Sequence, residues 1–253
     1  MISGLRHPVE PGRGRWARTR NKRDPCGSQD GFASRSLWAV VNNAGVTGQL
    51  APLEMCTRQD MLDVCHVNLF GPVEVTRVFL PYLRQSRGRV VNVVSVMGRF
   101  AAAPGPYCAS KFGMEAVSDV LRRELAPHGV KVSLLEPGYF RTPLIGLDAL
   151  MGKLEIAYKR SSPDVVDAYG GPSFMDRAKV LFKATHDLGS PNTHEVADAF
   201  VDALTSRFPR ARYLVGWDAK FVFVPLSYMP EWLGDSLRIW FQNFLLRKSG
   251  FDA

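Results

Sequence analysis

The sequence predicts an α/β fold, a parallel sheet covered by helices, on three observations. From Leu37 onward, strand-like and helix-like patterns alternate, the order that builds parallel sheets through helical crossovers. The apolar runs LWAVV from Leu37, GRVVNVVS from Gly88 and VKVSLLEPG from Val130 are nearly continuous, as strands buried on both faces are. Each leads into Asn, Ser, Pro or Gly, the residues that end strands in turns.

The chain has 253 residues, 46% hydrophobic and 22% charged, which suits one domain with a substantial core. Residues 1–35 stand apart. They hold eight basic and three acidic residues, so five of the eight net positive charges lie there. With Pro8, Pro11 and Pro25 and no apolar period, this segment is predicted to be a disordered, solvated tail. Only Trp16 and Phe32 interleave its charges, which argues against a nucleic-acid arm. The folded domain is therefore predicted over residues 36–253. Cys26, Cys56, Cys65 and Cys108 have neither disulfide-framework nor metal-ligand spacing, so no metal is expected and a reducing compartment fits. The chain contains no apolar run of roughly 18 residues, the length a spanning helix needs, and its opening lacks the apolar block of a signal peptide.

The elements follow in order. After the first strand, Leu37–Val41, comes the turn Asn42-Asn43-Ala44-Gly45. Thr57 and Asp60 then form a capping box, and Met61, Cys65 and Leu69 recur at helical spacing. That helix is predicted to bend near Gly71-Pro72 and to reach about Ser86. The second strand ends at Ser95. Pro106 opens and Gly129 closes the next helix, on which Phe112, Ala116, Val117, Val120, Leu121 and Leu125 share one arc and Glu115, Asp119 and Arg122 another. A third strand closes on Pro137-Gly138. The polar stretch from Thr142 to about Asn192 predicts an irregular lid or substrate loop. HEVADAFVDALTS predicts a helix, ARYLVG a last strand, and the C-terminus an aromatic-rich helix with Trp232, Trp240, Phe241 and Phe244 near Arg238, Arg247 and Lys248. Such a helix suits a headgroup layer, and packing onto the body or a second subunit accounts for it equally well.

Tyr107 and Lys111 are four residues apart, so a helix sets phenol and ammonium side by side. A cation within about 4–6 Å favours phenolate and prepares Tyr to take a proton from an alcohol. The pair alone is weak evidence, since most such pairs are amphipathic helix surface. Ser95 adds weight: it ends a buried strand, and strand carboxyl ends form the ligand crevice of an open parallel sheet.

These residues resemble the short-chain dehydrogenase/reductase family through NNAG at Asn42–Gly45, Asn68 in HVNLFG, Ser95 in VNVVSVMGR, the YxxxK of Tyr107 and Lys111, and Pro137-Gly138 followed by Thr142. The resemblance extends to the microsomal retinol and hydroxysteroid dehydrogenase branch through SVMGRFAAAPGPYCASKFGMEAVSDVLRREL, EPGYFRTP and RARYLVGWDAK. It implies a Rossmann-like sheet and NAD-linked oxidation of a hydrophobic alcohol, retinoid or steroid, or the reverse reaction. In it Tyr107 accepts the proton, Lys111 holds the nicotinamide ribose and lowers the Tyr pKa, Ser95 orients the substrate oxygen, and Asn68 supports a water chain to Lys111. Asn42, Ala44, Gly45, Tyr107, Lys111, Pro137, Gly138 and Thr142 form the implied cofactor set. The branch also implies a homodimer and endoplasmic reticulum membrane association; without membrane binding by the C-terminal helix, the cytosol is expected.

One family element is missing from the sequence: no TGxxxGxG turn between a strand and a helix precedes Leu37, where the family holds the pyrophosphate. The expected fold is therefore an N-terminally truncated one, with the Leu37 strand as an exposed edge. NAD comes from the branch, and the residues leave NADP open. Dinucleotide binding by this chain is expected to be weak or nil. The competing reading is a catalytically silent variant that keeps the substrate half and the dimer interface.

Overall fold

The computed structural model describes residues 36–251. The expectations for residues 1–35, including Cys26, lie outside them. The strands are β1 (Ala39–Asn42), β2 (Arg89–Val93), β3 (Lys131–Pro137) and β4 (Arg212–Val215). They form one parallel sheet in the order β1-β2-β3-β4, so the predicted fold class holds. Among the described residues β1 is an edge strand, with Trp38 and Val41 exposed.

Successive side chains of a strand point to opposite faces, and the two cores follow from this. Val90 and Val132 join Val40, Leu83 and Leu125 beneath α2 (Gly71–Ser86) and α3 (Gly105–Leu125). Val91 and Leu135 join Tyr213 and Val215 on the other face, beneath α7 (His194–Thr205). Fully burying each such side chain contributes about 1.5–3 kcal/mol.

The predicted first helix is three pieces. α1 (Arg58–Cys65) starts at the Thr57–Asp60 capping box, a π-helical turn spans His66–Phe70, and α2 follows. The α-helical pattern is interrupted where a bend is predicted, the π-helical turn ending just before Gly71-Pro72, whose proline offers no N–H.

The expected irregular loop over 142–192 is instead mostly helical: α4 (Leu147–Arg160), α5 (Pro163–Ala168) and α6 (Ser173–Leu188). Leu150, Leu154 and Ala157 recur at helical spacing on α4 and are buried. Leu154 and Ala157 pack with Ala51, Met55 and Phe182. This narrow stripe among many charges reads as polar in sequence, and it becomes a helix face because residues 51–55 and α6 lie against it. After β4, a π-helical turn at Ala219–Phe223 leads into the single turn α8 (Val224–Leu226) and then α9 (Glu231–Lys248).

The arcs assigned to α3 also change. Phe112, Ala116 and Val120 are exposed, while Ser110, Lys111, Met114, Glu115 and Ser118 are buried. Beside the apolar Met114 and Leu125, a polar network runs between the sheet and the helices: Asn42 Nδ2 donates to Asn92 Oδ1 (2.7 Å) and to Thr76 Oγ1 of α2 (2.9 Å), and Asn92 Nδ2 donates to Ser118 Oγ of α3 (2.9 Å). Buried amides and hydroxyls are tolerated because they satisfy one another.

Candidate active site

Three strand ends and one helix build the site. The chain leaves β1 through Asn43 and Gly45, β2 through Ser95, and β3 through Pro137 and Gly138, while the first turns of α3 carry Tyr107 and Lys111. All of these, with Thr142, line one cavity of about 320 Å³. Its far wall is apolar and comes from segments after Thr142, among them Leu144, Ile145, Leu150 and Phe182.

Ser95 is buried; its Oγ accepts from Met97 N (3.2 Å), donates to Pro137 O (3.4 Å), and is hydrogen-bonded to the Tyr107 phenol. Burial pushes that phenol above 10.0, and the Ser95 bond opposes the rise. The Lys111 ammonium donates to Val93 O (3.1 Å) and lies 5.6 Å from the Tyr107 ring centroid. Burial pushes Lys111 down to about 8. The largest influence on the Tyr107 phenol is its burial, which acts upward; the role of Lys111 toward it is what the family resemblance implies.

Asn68 rides on the π-helical turn. Its Oδ1 accepts from Val46 N (2.8 Å), and its Nδ2 donates to Val46 O (2.9 Å) and Ser110 Oγ (3.0 Å). Asn68 thus clamps the loop after β1 to α3. A side chain at Gly45 would start 3.6 Å from Asn68 Oδ1 and 3.7 Å from Lys111 Nζ; glycine keeps this floor clear. At Gly138 a Cβ would come within 2.1 Å of the Asp218 carboxylate, whose Oδ2 accepts from Tyr139 N (2.7 Å). A side chain there would displace the Asp218 carboxylate from the Tyr139 amide.

Two residues of the implied cofactor set fall elsewhere. Asn42 spends its amide in the Asn92–Thr76 network, and Ala44 is exposed off the cavity, whose lining from this turn is Asn43 and Gly45. The strand ends one residue later than its apolar run, at Asn42, which turns Asn42 inward and Asn43 toward the site. Sequence reading missed Asn43, Thr47 and Tyr139, whereas the stretch it names as the substrate loop, 142–192, does supply Leu144, Ile145, Leu150 and Phe182 to the cavity. Lys153, on α4, donates to Thr47 Oγ1 (2.6 Å), a contact between residues too distant in sequence to show any pattern. Among the described residues no group of three or more His, Cys, Asp or Glu gathers as a metal site.

A family model described as short chain dehydrogenase matches residues 30–148. Mouse retinol dehydrogenase 5 is 45% identical over 205 residues, covering 81% of this chain and 64% of that protein. Human 17-beta-hydroxysteroid dehydrogenase type 6 is 42% identical over 201 residues, 79% of this chain and 63% of that protein. The chain belongs to the short-chain dehydrogenase family. It spans 64% of the length of that mouse relative. A short-chain dehydrogenase from Streptomyces avermitilis, 28% identical, superposes with a TM-score of 0.56 over 86% of this chain and 72% of its own. One from Burkholderia phymatum, solved with NAD and 24% identical, shares the fold at a TM-score of 0.58, over 76% of this chain and 65% of that one.

The short-chain dehydrogenase site fits a nicotinamide cofactor at one end. Gly45 leaves a clear floor beside the Lys111 ammonium, which suits the ribose hydroxyls, and Pro137, Gly138 and Thr142 border the same space. The N-terminus of α1 is closed by its own Asp60, which accepts from Thr57 N (2.6 Å).

Proposed function

We propose that this short-chain dehydrogenase chain interconverts a hydrophobic alcohol and its carbonyl form, with a retinoid or hydroxysteroid as substrate and NAD as the preferred cofactor. The observation that carries the reading is the convergence of Ser95, Tyr107 and Lys111 on one cavity whose opposite wall is apolar. The bound nicotinamide supplies the hydride acceptor or donor. Ser95 holds the substrate oxygen, Tyr107 Oη takes its proton in the oxidative direction and returns it in the reductive one, and Lys111 binds the ribose. The resemblance of the chain to retinol dehydrogenase 5 and 17-beta-hydroxysteroid dehydrogenase type 6 supports both substrate classes.

The test is a titration of NAD and NADP against the purified 253-residue chain, followed by turnover of all-trans-retinol and a hydroxysteroid at millimolar dinucleotide. Alcohol-dependent reduction of the dinucleotide at saturation supports the proposal; none with either substrate class overturns it.

Membrane-surface contact at the endoplasmic reticulum and a homodimer complete the reading. No described helix is long and apolar enough to cross a membrane, but α9 exposes Trp232, Ile239, Trp240 and Phe244, a surface suited to a headgroup layer. α2 and α3 expose Val78, Phe79, Tyr82, Phe112 and Val120, an apolar face for a second copy. Removing residues 231–253 should abolish flotation with phospholipid vesicles while the circular dichroism of the body persists. Unchanged flotation would rule out α9 as the contact.

A further inference from the structure

Asp218, in the turn after β4, lies across the ends of two strands. β3 and β4 run side by side until Gly138 N donates to Val215 O (2.9 Å). Asp218 immediately precedes the π-helical turn Ala219–Phe223, yet its side chain caps none of the amides there. Its Oδ2 accepts instead from Tyr139 N (2.7 Å), 79 positions away in the sequence. Two glycines make room for the carboxylate. A Cβ on Gly138 would overlap it, and one on Gly216, whose φ of 96° already favours glycine, would lie 2.6 Å from Oδ1. An Asp at a helix start ordinarily satisfies its own first turn. A side chain given to another strand's backbone, in a gap that two glycines keep open, serves that strand instead.

The segment that Asp218 holds frames the site. Pro137, Gly138, Tyr139 and Phe140 all line the cavity. The Pro137 carbonyl accepts from Ser95 Oγ (3.4 Å), and Tyr139 and Tyr107 pack against the same buried Val96, Met97, Cys108 and Ala219. The Tyr139 ring also meets Phe223, from the turn that Asp218 precedes, edge to face at 5.5 Å. We infer that Asp218 is a positioning residue: through the Tyr139 amide it sets the carboxyl end of β3, and with it the Pro137 carbonyl against Ser95 and the Tyr139 ring in the wall shared with Tyr107. An amide bonded to a carboxylate is held about twice as strongly as one bonded to a neutral acceptor, and misplacing reacting groups by about 1 Å can cost roughly 10²-fold in rate. The inference rests on the proposed roles of Ser95 and Tyr107, and its readouts need no turnover.

The experiment follows two signals by NMR in the full-length chain: hydrogen exchange at the Tyr139 amide, and the Tyr107 ring resonance, assigned by its loss in Tyr107→Phe. Asp218→Ala should speed Tyr139 exchange by about tenfold or more, the effect of losing a bond to a charged group, and should shift the Tyr107 resonance. The interior amide of Leu134, bonded to Ala211 O (2.9 Å), should exchange as in wild type. Asp218→Asn, which keeps an acceptor oxygen, should restore both signals, and Gly138→Ala, which evicts the carboxylate without removing it, should reproduce Asp218→Ala. A folded Asp218→Ala protein whose Tyr139 exchange stays within about twofold of wild type, or whose Tyr107 resonance does not move, overturns the inference. Equal acceleration at Leu134 overturns it as well and leaves Asp218 an anchor of the fold only. Should neither Asp218→Ala nor Gly138→Ala fold, the wild-type protein decides: a Tyr139 amide that exchanges at the rate of an unstructured chain overturns the clamp. The role of Tyr107 is tested by turnover and the clamp by these resonances, so the two can fail separately.

Discussion

Tyr107→Phe should reduce alcohol oxidation at saturating dinucleotide by at least ~10²-fold, the usual contribution of a positioned general base, with little change in dinucleotide affinity. The substitution deletes one oxygen, the group hydrogen-bonded to Ser95, and leaves the ring that faces the Lys111 ammonium 5.6 Å from its centroid. Packing and the ribose site therefore persist while the proton acceptor is lost. The direction of the pH dependence follows from burial. The phenol is pushed above 10.0, so its base form grows with pH, and the oxidative rate should climb on the alkaline side while reduction is favoured at lower pH. Steady-state rates of wild type and variant across about pH 6–9, on both sides of neutrality, check both points. A variant rate within about tenfold of wild type would remove Tyr107 from the mechanism.

Arg212→Ala should destabilise the fold by about 3–5 kcal/mol, the cost of leaving buried charge uncompensated, or roughly 6–20 °C in Tm for a domain of this size. Arg212 Nη1 donates to Glu136 Oε1 (2.7 Å) and to Glu115 Oε2, and Nη2 donates to Asp119 Oδ2 (2.8 Å). Glu136 is fully buried, with Oε2 unpartnered, and its other cation, Arg99, stands 3.8 Å from Oε1. Without Arg212 two carboxylates share an interior that no longer holds their neutralising charge. The protein can escape by binding protons, and Glu115 already sits high, at about 7. Its folded pKa is above its unfolded one, so its contribution is present at low pH and lost as pH rises through about 7. The variant should therefore lose more stability at pH 8 than at pH 5.5, read from urea midpoints at the two values. Equal losses at both would show that Arg212 acts by packing and not by charge.

Much of the site was legible because its signals are local. Tyr107 and Lys111 lie on one helix at a fixed spacing, and Ser95 follows a run too apolar to be anything but an interior strand. The same local rule failed on α3, where the apolar arc of Phe112 and Val120 is exposed and the polar Ser110, Ser118 and Glu115 are buried. Nothing near those residues in sequence reveals their partners. Asn92 and Arg212 belong to other elements, 26 and 97 positions away from Ser118 and Glu115.

Sequence by itself determined the parallel α/β class, the order of its four strands and of the helices outside 142–192, and the presence of Ser95, Pro137 and Gly138 at strand ends, because hydrophobic period and turn chemistry act over a few residues. Tertiary structure alone decided that Asn43 and not Asn42 faces the cavity, that residues 147–188 fold as helices whose stretch bears part of the apolar wall, and that Glu115 is buried beside Lys111. Each of those depends on which neighbour a side chain meets. Strand register pairs Asn42 with Asn92, and the burial of a carboxylate depends on a guanidinium brought to it by the next strand of the sheet.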